Sequence, residues 1–524
     1  MVQRSTRGVD AMGASSIRAY EPEDSFHDVL YDWMERAPWL AISFAMHLVL
    51  YFMLAAIPWS AMQSQEVPIL NARIDPPDEV FVEPEVEEII EKIPVPIEDP
   101  VQVVENVSDV DAISEDPAES DDPFEAPFAP SNNNNAVIGI GPGGGLGGGG
   151  AVGRPGRRPQ TPGPVLTSIA LGLEWLAEHQ SPDGHWDGDD FAYQCDRGGP
   201  PADGEGSPLH DVGLTGLAVL AFMGWGDTPE SGDYADNIRR GLAWLRRSQD
   251  TDSGRIGVAV SSNSIYDHAI ATLALCEAQA MAPAPMRGRA AQSAIDFAQR
   301  ARSAYTGWRY QYPPDGTADT SVTGWMVLAL SAARKAGLAT DPAAFRDALG
   351  WIDEVTDPAT GRTGYMQPGE GVARPKHLID VYPAELSEAM TAAGLLTRAF
   401  ASDALDQPLA ATDHSREAID RGVELLLALP PHWTEDGAGV DLYYWYYASY
   451  ALFQLGGSHP SAWKRWEKAL VDTLLPAQRQ SPACFEGSFD PIGPWGEDGG
   501  RVYATAISVL SLEVFFRYER LDEH

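Results

Sequence analysis

The sequence predicts an all-α protein: an (α/α)6 toroid of six helical hairpins over residues 161–524, preceded by one transmembrane helix and a disordered linker. Three observations predict it. A unit of outer helix, Gly/aromatic loop and small-residue inner helix recurs six times. One uncharged apolar run lies near the N-terminus. Between the two stands a stretch too charged and too rich in Pro and Gly to build a core.

From the N-terminus, residues 1–38 form a tail expected to be cytoplasmic. Phe26, Val29, Leu30 and Trp33 recur there at helical spacing after Ser25, which predicts a short amphipathic surface helix. Residues 39–59 hold the span. Leu40 to Ile57 is eighteen residues without a formal charge, bracketed by Trp39 and Trp59. At helical rise it covers roughly 27 Å, close to a hydrocarbon core. Arg4, Arg7, Arg18 and Arg36 precede it and only Arg73 follows nearby, so positive-inside counting exports the rest of the chain. The expected membrane partner is therefore the bilayer around Trp39–Trp59, with the C-terminal domain outside. His47 in mid-span reads as a neutral packed side chain.

Residues 60–160 are read as linker. Residues 66–125 carry twenty acids against Arg73 and Lys92. The run GPGGGLGGGG beginning at Gly141 lacks the Gly-Lys-Ser/Thr of a phosphate loop and follows no strand. Net charge is −40, with no basic stripe in the domain. That excludes nucleic acid as a main partner and disfavours polyanions. Cys195, Cys276 and Cys484 allow at most one disulfide and leave one thiol.

The six units follow. Leu166 to His179 forms the first outer helix, then Gln180 and Asp183-Gly184-His185-Trp186, then an inner helix from about Asp211. Gln249, Gly254 and Asp267-His268 repeat the scheme, as do Gly307-Trp308 with Asp319, Gly364-Tyr365 with Glu385, and Gln478, Gly487 and Tyr503. The fifth unit runs from Val423 to Leu427 and then from Asp441 to Ser449. Inner-helix Thr or Ser falls at 215, 272, 323, 391, 449 and 505, at gaps of 57, 51, 68, 58 and 56. Six near-equal hairpins, none able to bury its own apolar face, close better as a ring than as an open stack.

Gly172-x-x-Trp175-Leu176-x3-Gln180-x3-Gly184-x-Trp186 resembles the QW repeat of the squalene cyclase and protein prenyltransferase superfamily. Segments such as Tyr266 to Thr272, Asp319 to Trp325, Asp441 to Tyr447 and Gly499 to Thr505 resemble membrane-anchored bacterial members of that group. The resemblance implies the toroid and no established reaction. Physically, the Gln amide is expected to satisfy orphan backbone groups at a neighbouring helix end, Gly to permit the turn, and Trp to stack over the junction.

The family's chemical motifs are not carried. Asp187-Gly188-Asp189-Asp190 has the letters of a cyclase acid motif but sits in a loop and precedes Phe191-Ala192, so it reads as a polar loop or weak cation site. No Asp-x-Cys zinc pair occurs, Cys276 reads as core, and no thioester motif is present. Neither a metal nor a cofactor is expected.

What remains is a ring of polar residues where inner helices begin. Asp267, His268, Asp211, Glu385 and Glu388 are the candidates for acid/base catalysis. Asp319, Trp325, Asp441, Tyr444, Tyr447, Arg501 and Tyr503 are the candidates for holding a ligand. Acids at helix starts also serve as N-caps, the reading weighed for Asp211, Asp319 and Asp441. His268 beside Asp267 reads as an oriented base or ligand group. The expected function is capture of a hydrophobic, glycan or peptide ligand in the central cavity. The alternative is an enzyme at the cavity mouth, carbohydrate-active or, further off, terpenoid cyclase-like.

Overall fold

In the computed structural model the described residues are 163–521, apart from 259–263, 411–412, 435–436, 482 and 518–519, together with His47. The tail, the apolar span, its flanking tryptophans and the linker lie outside them. Among the described residues no helix is long and apolar enough to cross a membrane.

The chain from Pro164 forms helices that alternate between an outer and an inner layer. The outer helices are α1 (Pro164–Glu178), α3 (Ala235–Arg247), α5 (Pro285–Arg300), α7 (Pro342–Val355), α9 (Asp413–Ala428) and α11 (Pro460–Ala477). The inner helices are α2 (Asp211–Trp225), α4 (Ser264–Met281), α6 (Thr320–Lys335), α8 (Ala389–Ala404), α10 (Leu442–Gln454) and α12 (Gly496–Arg517). Proline opens α1, α5, α7 and α11, where its missing N–H would be unpaired anyway. Outer helices bury one stripe, as Ile238, Gly241, Leu242 and Leu245 do in α3. Inner helices are buried almost all round: from Gly213 to Gly224 every residue of α2 is buried. Each inner helix packs on both inner neighbours, and α12 packs on α2, so the ring closes.

The Gln residues show how hairpins are joined. Gln180 Nε2 donates to Gly184 O (2.8 Å) and Asn237 O (3.0 Å), Gln249 Nε2 to Gly254 O (2.9 Å) and Ala290 O (3.0 Å), and Gln478 Nε2 to Gly487 O (2.8 Å) and Ser168 O (2.8 Å). Each amide ties its own loop to a carbonyl in the early turns of the next outer helix. This corrects the expected role, because those carbonyls already lie inside a helix and are not orphans. Gly184 has φ 108°, and a Cβ there would sit 2.4 Å from Arg240 O. Only glycine serves at that approach. Trp186 Nε1 donates back to Leu176 O (2.7 Å), as Trp308 Nε1 does to Ala298 O (2.7 Å).

The recurring Thr has an equally uniform job. The loop N–H of Trp186, Trp308, Thr363 and Phe489 donates to Oγ1 of Thr215 (3.0 Å), Thr323 (3.1 Å), Thr391 (3.3 Å) and Thr505 (3.1 Å) respectively. In the second unit His268 replaces Thr as acceptor: Ile256 N–H reaches its Nδ1 at 3.0 Å. Its Nε2 faces Ala294 O and Thr272 Oγ1, each at 3.2 Å.

The seam between last and first units is also covalent. Cys195 and Cys484 form a disulfide across 289 residues, and Cys276 stays a buried free thiol. Trp175 Nε1 donates to Cys484 O (2.8 Å), and Arg197, held by Glu174 and Glu178 of its own unit, meets Glu486 across the same seam.

Candidate functional site

The inner helices enclose a central cavity with about 930 Å3 of unfilled space, part of it open to solvent. Its wall is mostly apolar, with Leu214, Leu217, Ile270, Val372, Met390 and Ile507. Aromatic rings line much of the rest: Tyr266, Tyr310, Trp325, Tyr365, Tyr443, Trp495 and Tyr503. Two aromatic pairs are pinned by hydrogen bonds, Trp325 Nε1 to Tyr266 Oη (2.8 Å) and Tyr310 Oη with Tyr365 Oη (2.9 Å). Tyr503 Oη and Trp495 Nε1 are buried with no hydrogen-bond partner among the described residues.

Four ionisable groups other than tyrosine line this cavity: His210, Asp267, Arg374 and Asp498. Asp267 comes from the first turn of α4 and is 5% exposed. Its two oxygens lie 3.2 Å from Nδ1 of His210, which ends the short 3-10 turn before α2. Burial pushes His210 down, but the bond to Asp267 and its charge, with those of Asp498 and Asp211, outweigh it and raise the imidazole above its ordinary value. Burial also raises Asp267, against the bond to His210, and Asp498 adds to the rise. The pair therefore keeps a proton to higher pH than separate, solvated groups would. Nε2 of His210 makes no hydrogen bond among the described residues.

Asp498 is set beside the pair by backbone. Gly500 sits at φ 62° and breaks the start of α12, allowing the segment 204–207 to pass against it. Ser207 N donates to Asp498 O (2.8 Å) and Arg501 N to Gly204 O (2.7 Å). The Asp498 carboxylate itself makes no hydrogen bond or ion pair among the described residues. Arg374, from the loop before α8, gives Nη2 to Asp441 Oδ2 (2.8 Å), and both side chains are nearly inaccessible.

The expected site residues divide. Asp267, Trp325 and Tyr503 line the cavity. Asp319 and Asp441 cap α6 and α10, accepting from Val322 N (2.8 Å) and Tyr444 N (3.0 Å). Burial raises Asp319 to about 6. Asp211 is not a cap. Its Oδ1 takes Gly188 N–H (2.9 Å), and burial raises it to about 7.

The remaining candidates lie away from the cavity wall. His268 is fully buried in its structural bonds, and burial lowers it to about 3. Glu385 is exposed, whereas Glu388 is buried in an ion pair with Arg362 (2.6 Å). Tyr444 Oη donates to Leu426 O and Leu429 O, and Tyr447 packs edge-on to Trp325. Arg501 bonds Asp203, Asp490 and Ser488.

Sequence reasoning missed Asp498 and Arg374, and weighed Asp211 over its neighbour His210. The Asp498-Gly-Gly-Arg stretch at a helix start was the available signal. His185, Asp187 and Asp211 bring ligand atoms within 4.8 Å of one another and are the described group that could hold a cation. Exposed groups of this kind are common without one.

No family model matches the chain, and no curated protein does. Solved structures resemble it in architecture. The α-1,6-mannanase of Salegentibacter sp. HEL1_6, solved as an inactive variant with α-1,6-mannotriose, has 10% identity and a TM-score of 0.45, over 67% of this chain and 99% of that one. The unsaturated glucuronyl hydrolase of Bacillus sp. GL1 has 14% identity and a TM-score of 0.45, over 68% and 97%. An α-amylase from Clostridium perfringens has 10% and 0.41, over 67% and 97%. These likenesses are of overall form, and no substrate or residue role is taken from them. The chain is an all-α, α/α-toroid protein.

Proposed function

We propose that the toroid is a glycan-active enzyme working by acid/base chemistry at the cavity mouth. The observation that carries this reading is the His210–Asp267 pair. A buried carboxylate holds one ring nitrogen, which fixes the imidazole and leaves Nε2 to exchange a proton with an oxygen of the bound ligand. The rings of Trp325 and Tyr266 supply flat faces of the kind on which sugars lie. Asp498 lines the same cavity and its charge acts on both groups, so it is the carboxylate offered as the second one that such chemistry needs.

The test screens oligosaccharides with the purified full-length chain, reading products by mass spectrometry beside binding by calorimetry. Wild type is expected to convert a bound sugar. Asp267→Asn and His210→Ala are expected to bind it and convert it at least ~100-fold more slowly, the usual scale for losing a positioned acid or base. Conversion unchanged in both variants would sink the assignment.

A second reading, pure ligand capture, is favoured by the largely apolar wall. It expects binding without turnover in wild type and variants alike. The QW-repeat resemblance supports the scaffold in either case. Anchoring by residues 39–59, a flexible linker over 60–160 and an exported domain belong to the same proposal. The Cys195–Cys484 disulfide supports an oxidising compartment.

A further inference from the structure

We propose that the cavity selects a glycan bearing ammonium groups, an oligomer of an unacetylated amino sugar. The inference rests on the glycan reading above and adds charge to it. Arg374 brings no free positive charge to the wall, because Asp441 neutralises it at 2.8 Å. Asp267 is matched by His210 when the imidazole is protonated. Asp498 then remains unmatched, and with His210 neutral the cavity holds a second unmatched negative charge. A uronic acid entering here would meet like charge, and among the described residues that line the wall neither His210 nor Arg374 is free of a carboxylate partner to receive it.

An ammonium would find two complementary partners. The carboxylate of Asp498 offers charge, and the rings of Tyr266, Trp325 and Tyr443 offer negative π-faces around the same space. Trp325 is stacked on Tyr446 (5.8 Å, 13°) and held by Tyr266, so the rings are fixed before any ligand arrives. Trp495 Nε1 and Tyr503 Oη remain as unused donors. They are already desolvated, so a sugar oxygen that reaches them relieves an existing deficit, whereas a hydrocarbon leaves it in place.

The experiment follows quenching of tryptophan fluorescence in the purified full-length chain at mildly acidic pH. The probes are tetramers of glucosamine, N-acetylglucosamine and glucuronic acid, and tetramethylammonium ion. The glucosamine tetramer is expected to bind about tenfold or more tightly than its acetylated counterpart, with the uronate weakest. High salt and Asp498→Asn should each erode that preference several-fold, while Asp498→Glu should keep it, with folding checked by circular dichroism. Equal binding of the acetylated and free amino sugars overturns the charge selectivity and leaves the glycan reading standing. Tetramethylammonium binding with no affinity for any sugar keeps the cation cage and overturns the glycan reading. Binding of none of the probes overturns both.

Discussion

Two sets of polar atoms mark this toroid, one a ring and one a cluster where α12 meets α2, and the chain treats them oppositely. In the wall between outer and inner helices, Gln180, Gln249 and Gln478 and the hydroxyls of Thr215, Thr323, Thr391 and Thr505 all find partners within the protein. Along the cavity, Trp495 Nε1 and Tyr503 Oη are buried without a partner among the described residues, and the Asp498 carboxylate and Nε2 of His210 make no hydrogen bond to them. The ring is satisfied and repeats with the hairpins. The cluster is unsatisfied and follows no repeat. Polar groups left open inside an otherwise consistent fold are where binding and chemistry are to be sought.

The contrast is broken most severely at the seam. Replacing Cys195 and Cys484 by Ser should lower stability by about 6 kcal/mol on a chain-entropy estimate, since the bond closes a loop of 289 residues. Urea unfolding of the double variant measures it. A loss under about 1 kcal/mol would mean that Trp175, Gln478 and Arg197 hold the seam unaided.

Next in size is Asp319, which caps α6 and which burial raises to about 6 from an ordinary 3.8. Between those values the folded chain keeps a proton that the unfolded chain has released. Its stabilising contribution is therefore complete below about pH 4 and lost as pH rises through about 6. The stability of wild type minus that of Asp319→Asn should fall by on the order of 3 kcal/mol from acid to neutral pH. Taking the difference cancels the opposite trend from His268, which both proteins share. A flat difference would show that the carboxylate is better solvated than its burial implies.

The smaller scaffold effect is Thr323→Val, which leaves the Trp308 N–H buried without an acceptor. About 1–3 kcal/mol should be lost in thermal unfolding, with ligand binding intact. Asp498→Asn sharpens the comparison from the other side: its melting temperature should barely move while its ligand preference does.

The scaffold ring was legible in the sequence because it repeats. Thr at near-constant spacing and Gln-x3-Gly-x-Trp could be read directly, and the helix starts at Pro164 and Asp211 lie within two residues of the expected ones. The mouth was legible only in part. His268 and Asp267 are adjacent in sequence, but successive residues on a helix point about 100° apart, so one enters the cavity and the other the wall. Only Asp267 reached the cavity, and its partner was the His one unit back. Asp498 was hidden in a Gly-rich turn whose break at Gly500 no periodicity announces. The Cys195–Cys484 pairing was equally invisible, since it depends on how the ring closes.

That closure has a consequence for synthesis. The flank of α2 that faces α12 has no cover until the last helix exists. A ribosome adding about 5–20 residues each second needs roughly 15–60 s to travel from Cys195 to Cys484. For that interval the growing chain is an open arc with two sticky ends, and a second such arc offers the same complementary edges. Whatever escorts the nascent protein must keep arcs apart until each can bite its own tail.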